Sequence, residues 1–260
     1  MTGCRLAVVS HTPHHRTSDG LVGWGPTVTE LDHLATRFDS VVHVAPVHDG
    51  PAPASELPYA ASNLEVVGVR PAGGDGAMAK AAIGLAAPGW LAAMHRATSG
   101  ADVLHVRCPA NLSGLALAVL RARRDRRPLW VKYAGTWRPE GPEPWSYRTQ
   151  RRWLQKGWGR LAVTVNGTGD DPPHVRAFPN PSLTDEELAR GAAVTKAPVV
   201  DGLRLAFVGR VEPEKGAVVA ARVAAAVPGA RLTVVGDGPD VGAVRAAFPD
   251  ADLRGWLPRH

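Results

Sequence analysis

Two cations stand five residues apart in Leu205-Ala-Phe-Val-Gly-Arg-Val-Glu-Pro-Glu-Lys-Gly216: Arg210 and Lys215. An apolar run leads into Gly209, and a helix pattern starts after Gly216. This order gathers a guanidinium, an ammonium and free backbone N–H groups at one helix N-terminus, where a diphosphate can bind. Arg210 can fork onto two phosphate oxygens, and Lys215 adds a point charge. Breaking a bond to a diphosphate leaving group builds negative charge, which a metal or fixed cations and dipoles must stabilise. The competing reading is a turn whose cations pair with Glu212 and Glu214.

Two later strings follow in order, Val234-Val-Gly-Asp-Gly-Pro239 and Leu253-Arg-Gly-Trp-Leu-Pro258. Together with Phe207–Gly216 they resemble the donor-site motifs of retaining glycosyltransferases of the group 1 type, which have the GT-B fold. The resemblance is strong over 203–260. It is weaker before that, where Phe178-Pro-Asn-Pro-Ser182 is similar to the family's domain junction. It implies a nucleoside-diphosphate-sugar donor, with no metal and no other cofactor; the acceptor stays open, a lipid-linked molecule and a saccharide both being compatible. It also implies that Arg210 and Lys215, with Gly209, hold the donor diphosphate. Gly236, Gly238, Gly255 and Trp256 then lie near the nucleotide, and Gly23 and Gly25 form the glycine loop of the first domain. The family's carboxylate-bearing segment and final helix have no counterpart before His260. Two expectations follow: a truncated or split form that is inactive alone, or a chain that a second polypeptide completes. Gly236-Asp-Gly-Pro-Asp-Val-Gly242 also follows a strand, but its spacing is GxGxxxG rather than the GxGxxG of a dinucleotide loop.

In the first half, His105 and Arg107 end a strand, where parallel sheets place ligands, and are acceptor candidates. For Arg107 the alternative is a salt bridge. Lys132-Tyr-Ala-Gly-Thr-Trp137 ends another strand. Many relatives carry a histidine in this loop; here Gly135 and Thr136 stand instead, so no side chain is assigned as catalytic. His11, His14 and His15 share the loop after the first strand. Without carboxylates or cysteines at ligand spacing they read as solvent-exposed or acceptor-lining groups. Asp170-Asp171 is assigned no chemistry.

The elements that must position these residues alternate. Strands are expected at 5–10, 41–46, 64–69, 103–106, 129–133 and 161–165. Helices are expected at 27–38, 77–98 (broken near Pro88) and 112–124, with a Trp-rich helix around 145–159. A proline- and glycine-rich stretch, 166–180, leads to a capping box, Thr184 with Glu187. A further break falls at 198–202. Strand, helix, strand, helix and strand then follow from 203 to 253. The fold class is α/β with two Rossmann-like domains, 1–178 and an incomplete 179–260.

The 260 residues carry a net charge of +6 and 45% apolar residues, enough for a sizeable core. Cys4 and Cys108 form no CxxC, so neither a zinc site nor a disulfide framework is expected, and a reducing cytoplasm fits. The charge is clustered: Arg121, Arg123, Arg124, Arg126 and Arg127 surround Asp125, and Arg148, Arg151, Arg152, Lys156 and Arg160 lie in a stretch without acids. The Trp-rich helix reads either as a contact with an anionic membrane surface or as aromatics packed on the sheet. A peripheral location on the inner membrane face goes with the first reading. No nucleic-acid partner is assigned. The leading function is sugar transfer from a nucleotide sugar. The alternative is a non-catalytic docking module with a vestigial nucleotide site.

Overall fold

The computed structural model describes residues 3–74, 76–167, 171–178, 185–195 and 202–257. The chain divides into two compact units, Met1–Ser182 and Leu183–His260.

The first unit begins with β1 (Arg5–Val9), a hairpin of β2 (His14–Thr17) and β3 (Gly20–Trp24), then α1 (Gly25–Ala35). It continues with β4 (Ser40–His48), β5 (Glu56–Pro58), β6 (Leu64–Val69), α2 (Ala77–Thr98), β7 (Val103–Cys108) and α3 (Asn111–Ala122). It closes with β8 (Leu129–Tyr133), α4 (Trp145–Lys156), β9 (Leu161–Val165) and β10 (Val175–Ala177). The parallel strands lie in the order β6-β4-β1-β7-β8-β9-β10. β2 adds in parallel to the end of β4, and β3 and β5 follow antiparallel. The chain moves outward from β1 through β4 to β6, returns to β7 beside β1, and proceeds the other way. The switch point therefore lies at the C-terminal ends of β1 and β7, where open α/β sheets bind ligands.

Helices cover both faces, which is why β1 reads as an unbroken apolar run. Leu6 and Val8 pack with Leu31 and Ala35 of α1. Ala7 and Val9 face the opposite layer, with Trp90 and Met94 of α2, Leu112 and Leu117 of α3 and Leu154 of α4.

Two expectations are corrected. α2 runs unbroken through Pro88. The missing N–H of Pro88 leaves the Gly84 carbonyl without its helical donor, and both residues are exposed to water that can replace it. The segment expected as a loop after the first strand is instead a hairpin, turned at Ser18-Asp19-Gly20, with Thr17 Oγ1 donating to the Gly20 carbonyl at 3.0 Å.

The second unit contains α5 (Asp185–Ala192), β11 (Arg204–Val208), a 3₁₀ turn (Pro213–Lys215), α6 (Ala217–Ala226), β12 (Arg231–Val235), α7 (Val241–Ala247) and β13 (Asp252–Gly255). Its sheet is parallel in the order β11-β12-β13. Ala217, Ala221 and Ala224 bring α6 close to Leu232, Val234 and Val244. Thr184 of the expected capping box, residues 179–182 of the expected junction, residues 198–201 of the expected break, Asp170 and Pro258 lie outside the described residues.

Candidate functional site

In the second unit the turns after β11 and β12 run side by side. Gly209 N donates to the Val235 carbonyl at 2.9 Å, Val211 N to the Asp237 carbonyl at 2.9 Å and Asp240 N to the Val211 carbonyl at 3.1 Å. Gly236 N donates to the Gly255 carbonyl at 2.7 Å, which ties in the turn after β13. Gly236 and Gly238 permit this close approach: a Cβ on Gly236 would lie 1.8 Å from the Gly209 oxygen, and one on Gly238 2.4 Å from the Val211 oxygen. Backbone contact thus accounts for both glycines. Gly242 has no such neighbour. Trp256, just after β13, is 44% exposed.

Val211 is fully buried and fixes the turn between Arg210 and the start of α6. Arg210 is exposed, with Nη1 2.9 Å from Glu212 Oε1 and Nη2 3.8 Å from Glu214 Oε1. The pairing read as an alternative from the sequence is therefore present. Exposed pairs of this kind contribute about 0–1 kcal/mol and yield readily to a stronger anion. Lys215 is exposed, and among the described residues no ion pair is formed by it. Gly216 caps α6 in a left-handed conformation, and no side chain caps the first helical N–H groups.

In the first unit the switch point holds a buried ion cluster that sequence reasoning missed. Glu30 of α1 accepts from Lys132 Nζ at 2.7 Å and lies 3.0 Å from Arg107 Nη1. Arg107 Nη2 also approaches Thr27 Oγ1 at 3.4 Å. Their side chains are 17%, 4% and 12% exposed for Glu30, Lys132 and Arg107. Burial lowers the Lys132 ammonium, with Glu30 opposing the shift. The cluster carries a formal charge of +1. Its only sequence signal was that Arg107 and Lys132 both end strands. His105 is fully buried, its ring stacked at 3.9 Å on Trp130 and its Nδ1 3.1 Å from the Trp130 carbonyl oxygen. Its ring therefore offers a ligand no exposed atom.

A cleft of about 370 Å³ opens at the C-terminal ends of β8 and β9. Gly135, Thr136, Arg138 and Asn166 line it, with Trp137 held by Asp171 through its indole N–H at 3.0 Å. It includes the Gly135-Thr136 positions singled out by sequence.

The histidines after β1 form a different structure from the one expected. His14 is fully buried; its Nδ1 lies 2.9 Å from the Thr12 carbonyl oxygen and its Nε2 2.9 Å from the Tyr59 hydroxyl. That hydroxyl lies 3.0 Å from His43 Nδ1, and His43 Nε2 lies 2.7 Å from Ser10 Oγ. Gly23 completes the packing, because a Cβ there would lie 2.6 Å from the His14 ring. A Cβ on Gly25 would lie 2.9 Å from the Ser55 carbonyl oxygen. His15 is half-buried and meets Glu56 at 2.9 Å. Among the described residues no three His, Cys, Asp or Glu side chains gather as a metal set.

Burial lowers His14 to about 4, and burial also lowers His43 and His11. A base depressed in the fold stays neutral while the unfolded chain takes up its proton below about 6.5. The stability it contributes is complete above 6.5 and is lost as pH falls toward 4. For His14 alone the loss is about 3 kcal/mol. Urea unfolding between pH 7.5 and 4 should show this decline, with a shallower slope in His14→Gln. A flat wild-type profile would contradict the assignment.

On α4, Leu154 and Gln150 are buried, and Gln150 hydrogen-bonds both the N–H and the carbonyl of Ala110. Trp153 and Trp158 pack against the core, with the Arg121 guanidinium 5.8 and 5.6 Å from their ring centroids. These two aromatics follow the packing reading. Trp145 is 77% exposed.

No family model matches the chain. No curated protein matches it in sequence. Solved structures do resemble it. HepE from Anabaena, in complex with UDP and glucose, is 14% identical, with a TM-score of 0.55 over 98% of this chain and 70% of that one. Sucrose-phosphate synthase from Thermosynechococcus elongatus is 15% identical, with a TM-score of 0.63 over 98% of this chain and 71% of that one. A protein of Listeria monocytogenes described as a UDP-N-acetylglucosamine 2-epimerase is 11% identical, with a TM-score of 0.52 over the whole of this chain and 70% of that one. The fold is thus α/β with Rossmann-like units of the GT-B type.

Proposed function

We propose that the chain transfers a sugar from a nucleoside diphosphate to an acceptor, with retention as its motifs imply, and that Arg210 and Lys215 hold the diphosphate. The observation that carries this reading is the turn between β11 and α6. Two exposed cations stand at a helix start without a side-chain cap, on a loop fixed by Val211 and by hydrogen bonds to the next turn. A diphosphate would displace Glu212 and Glu214 from Arg210 and meet the open N–H groups of α6. Likeness to a fold that holds UDP in HepE supports the same class of donor. The acceptor is proposed to approach the C-terminal end of the first sheet, near Arg107 and the cleft at Gly135-Thr136.

UDP binding by calorimetry tests the assignment. Arg210→Ala is expected to weaken affinity about 10- to 100-fold, the scale of hydrogen bonds to a charged group. Equal affinity in wild type and variant would end it. The likeness to a chain described as an epimerase supports a second reading at the same site. A UDP-sugar that changes configuration without any acceptor would favour that reading; UDP release that depends on an added acceptor would favour transfer.

A further inference from the structure

The three helices on one face of the first sheet carry an unusual surface. α2 has 22 residues and no acid, and its outward line is Met78, Ala82, Leu85, Gly89 and Ala92. Met78 and Leu85 are 87% and 77% exposed. The buried side, Ala86, Trp90, Ala93 and Ala97, lies opposite. An apolar stripe of this length in water marks a surface that something else covers.

The cationic segments 121–127 and 148–160 are distant in sequence but meet beside it. Because α2, α3 and α4 all cross back from the ends of parallel strands, they finish at the same end of the layer. Arg127 Nη1 donates to the Thr98 and Ala101 carbonyls, tying the end of α3 to the end of α2. Arg121 lies over Trp153 and Trp158, tying it to α4. A Cβ on Gly159 would lie 3.4 Å from the Asp125 carbonyl oxygen. Arg96, Arg123, Arg126, Arg152, Lys156 and Arg160 are all exposed there. Of the nearby acids, Asp125 is held by Arg127 at 2.6 Å and Asp102 accepts from the Arg5 N–H at 2.9 Å. Helix dipoles favour a cation in each last turn, which leaves most of this charge unexplained.

We propose that the α2–α3–α4 layer docks on an anionic lipid bilayer. The stripe on α2 enters the interface, and the cations at the helix C-termini meet lipid phosphates. A bilayer satisfies both features at once. Nucleic acid would leave Met78 and Leu85 in water, and the tryptophans nearest the cations are packed under Arg121 rather than open for stacking. The docking face lies on the helical layer of the first unit, leaves the C-terminal strand ends of that sheet uncovered and includes no residue of the proposed diphosphate site.

The test is flotation of the full chain with phosphatidylcholine vesicles, with and without phosphatidylglycerol, at low and high salt. Wild type is expected to float only with the anionic vesicles and to lose most binding in high salt. Arg96→Ala/Lys156→Ala should weaken binding about 25-fold, at about fivefold per cation. Leu85→Glu should weaken it at least tenfold with thermal unfolding unchanged. Arg16→Ala/Arg37→Ala removes the same net charge from exposed positions outside this layer and should change binding less than twofold. The proposal is overturned if the two double variants weaken equally. It is also overturned if wild type does not float with anionic vesicles, and retention of a labelled oligonucleotide in that case would assign the cations to nucleic acid instead.

Discussion

Glu30→Gln is expected to destabilise the first unit by about 3–5 kcal/mol, the usual result of removing one member of a buried ion pair. Glu30 serves two cations, with Lys132 Nζ at 2.7 Å and Arg107 Nη1 at 3.0 Å. Glutamine keeps the shape and removes the charge, which leaves +2 in a site shielded from water. The two cations respond differently. Burial already lowers Lys132, and Glu30 is the main group holding its proton on. Without Glu30 the lysine can escape by becoming neutral; the guanidinium cannot. A lysine depressed in the fold takes up a proton on unfolding, so raising the pH toward the free lysine value, about 10.4, restores stability. The deficit of Glu30→Gln should therefore shrink between pH 7 and 10. Urea unfolding of the wild type and the variant at both pH values reads all of this. A variant within 1 kcal/mol of wild type at pH 7, on the scale of an exposed pair, would show that water screens the cluster more than its burial implies.

That cluster shows which part of the site lay beyond the reach of sequence. Strand ends are legible, because Val103–Val106 and Leu129–Tyr133 are apolar runs bounded by turn residues. Arg107 and Lys132 could thus be placed near a ligand-binding edge. Their shared partner could not, since Glu30 lies 77 residues before Arg107 and only β1 pairing with β7 brings α1 over them. The histidines failed for a related reason. A histidine carries no sign of burial in its own neighbourhood. The turn at Ser18-Asp19-Gly20 was the available signal that His14 lies on a hairpin, and the Tyr59 hydroxyl that receives it is 45 residues away.

The sequence pattern around Pro88 does not reveal which face of α2 the proline stands on, and the face decides its effect. Proline disrupts a helix by losing one hydrogen bond and crowding the preceding turn. On the solvent side of α2 the lost bond can be replaced by water, and the buried anchors Ala86, Trp90 and Ala93 hold the helix on both sides of it. The second unit was more legible. Its strands, turns and helices are local units closed by short connections, and the glycine strings fall at the strand ends where they were expected.

Those glycine strings carry the remaining large effect. Gly236→Ala is expected to destabilise the second unit by more than about 4 kcal/mol, the range reserved for backbone conflict and core disruption. Gly236 has a φ of 135°, where a Cβ is strained even in open space, and here the Cβ would lie 1.8 Å from the Gly209 carbonyl oxygen. No rotamer relieves a backbone clash; the turns after β11 and β12 must separate. Separation breaks the bonds from Gly209 N to Val235 and from Val211 N to Asp237, each 2.9 Å long. Arg210 lies between those two donors, so the proposed diphosphate site would be displaced with them. Gly242→Ala is the matched control. It falls in α7 with no atom within 4 Å of the new methyl, and should be neutral or stabilising by up to about 1 kcal/mol. Native-state hydrogen exchange of peptides covering 204–216 and 231–240 distinguishes the two. Gly236→Ala should lose protection there while β1, β7 and β8 keep theirs, and Gly242→Ala should match wild type. Wild-type protection in Gly236→Ala would mean that the two turns are not laced together as described.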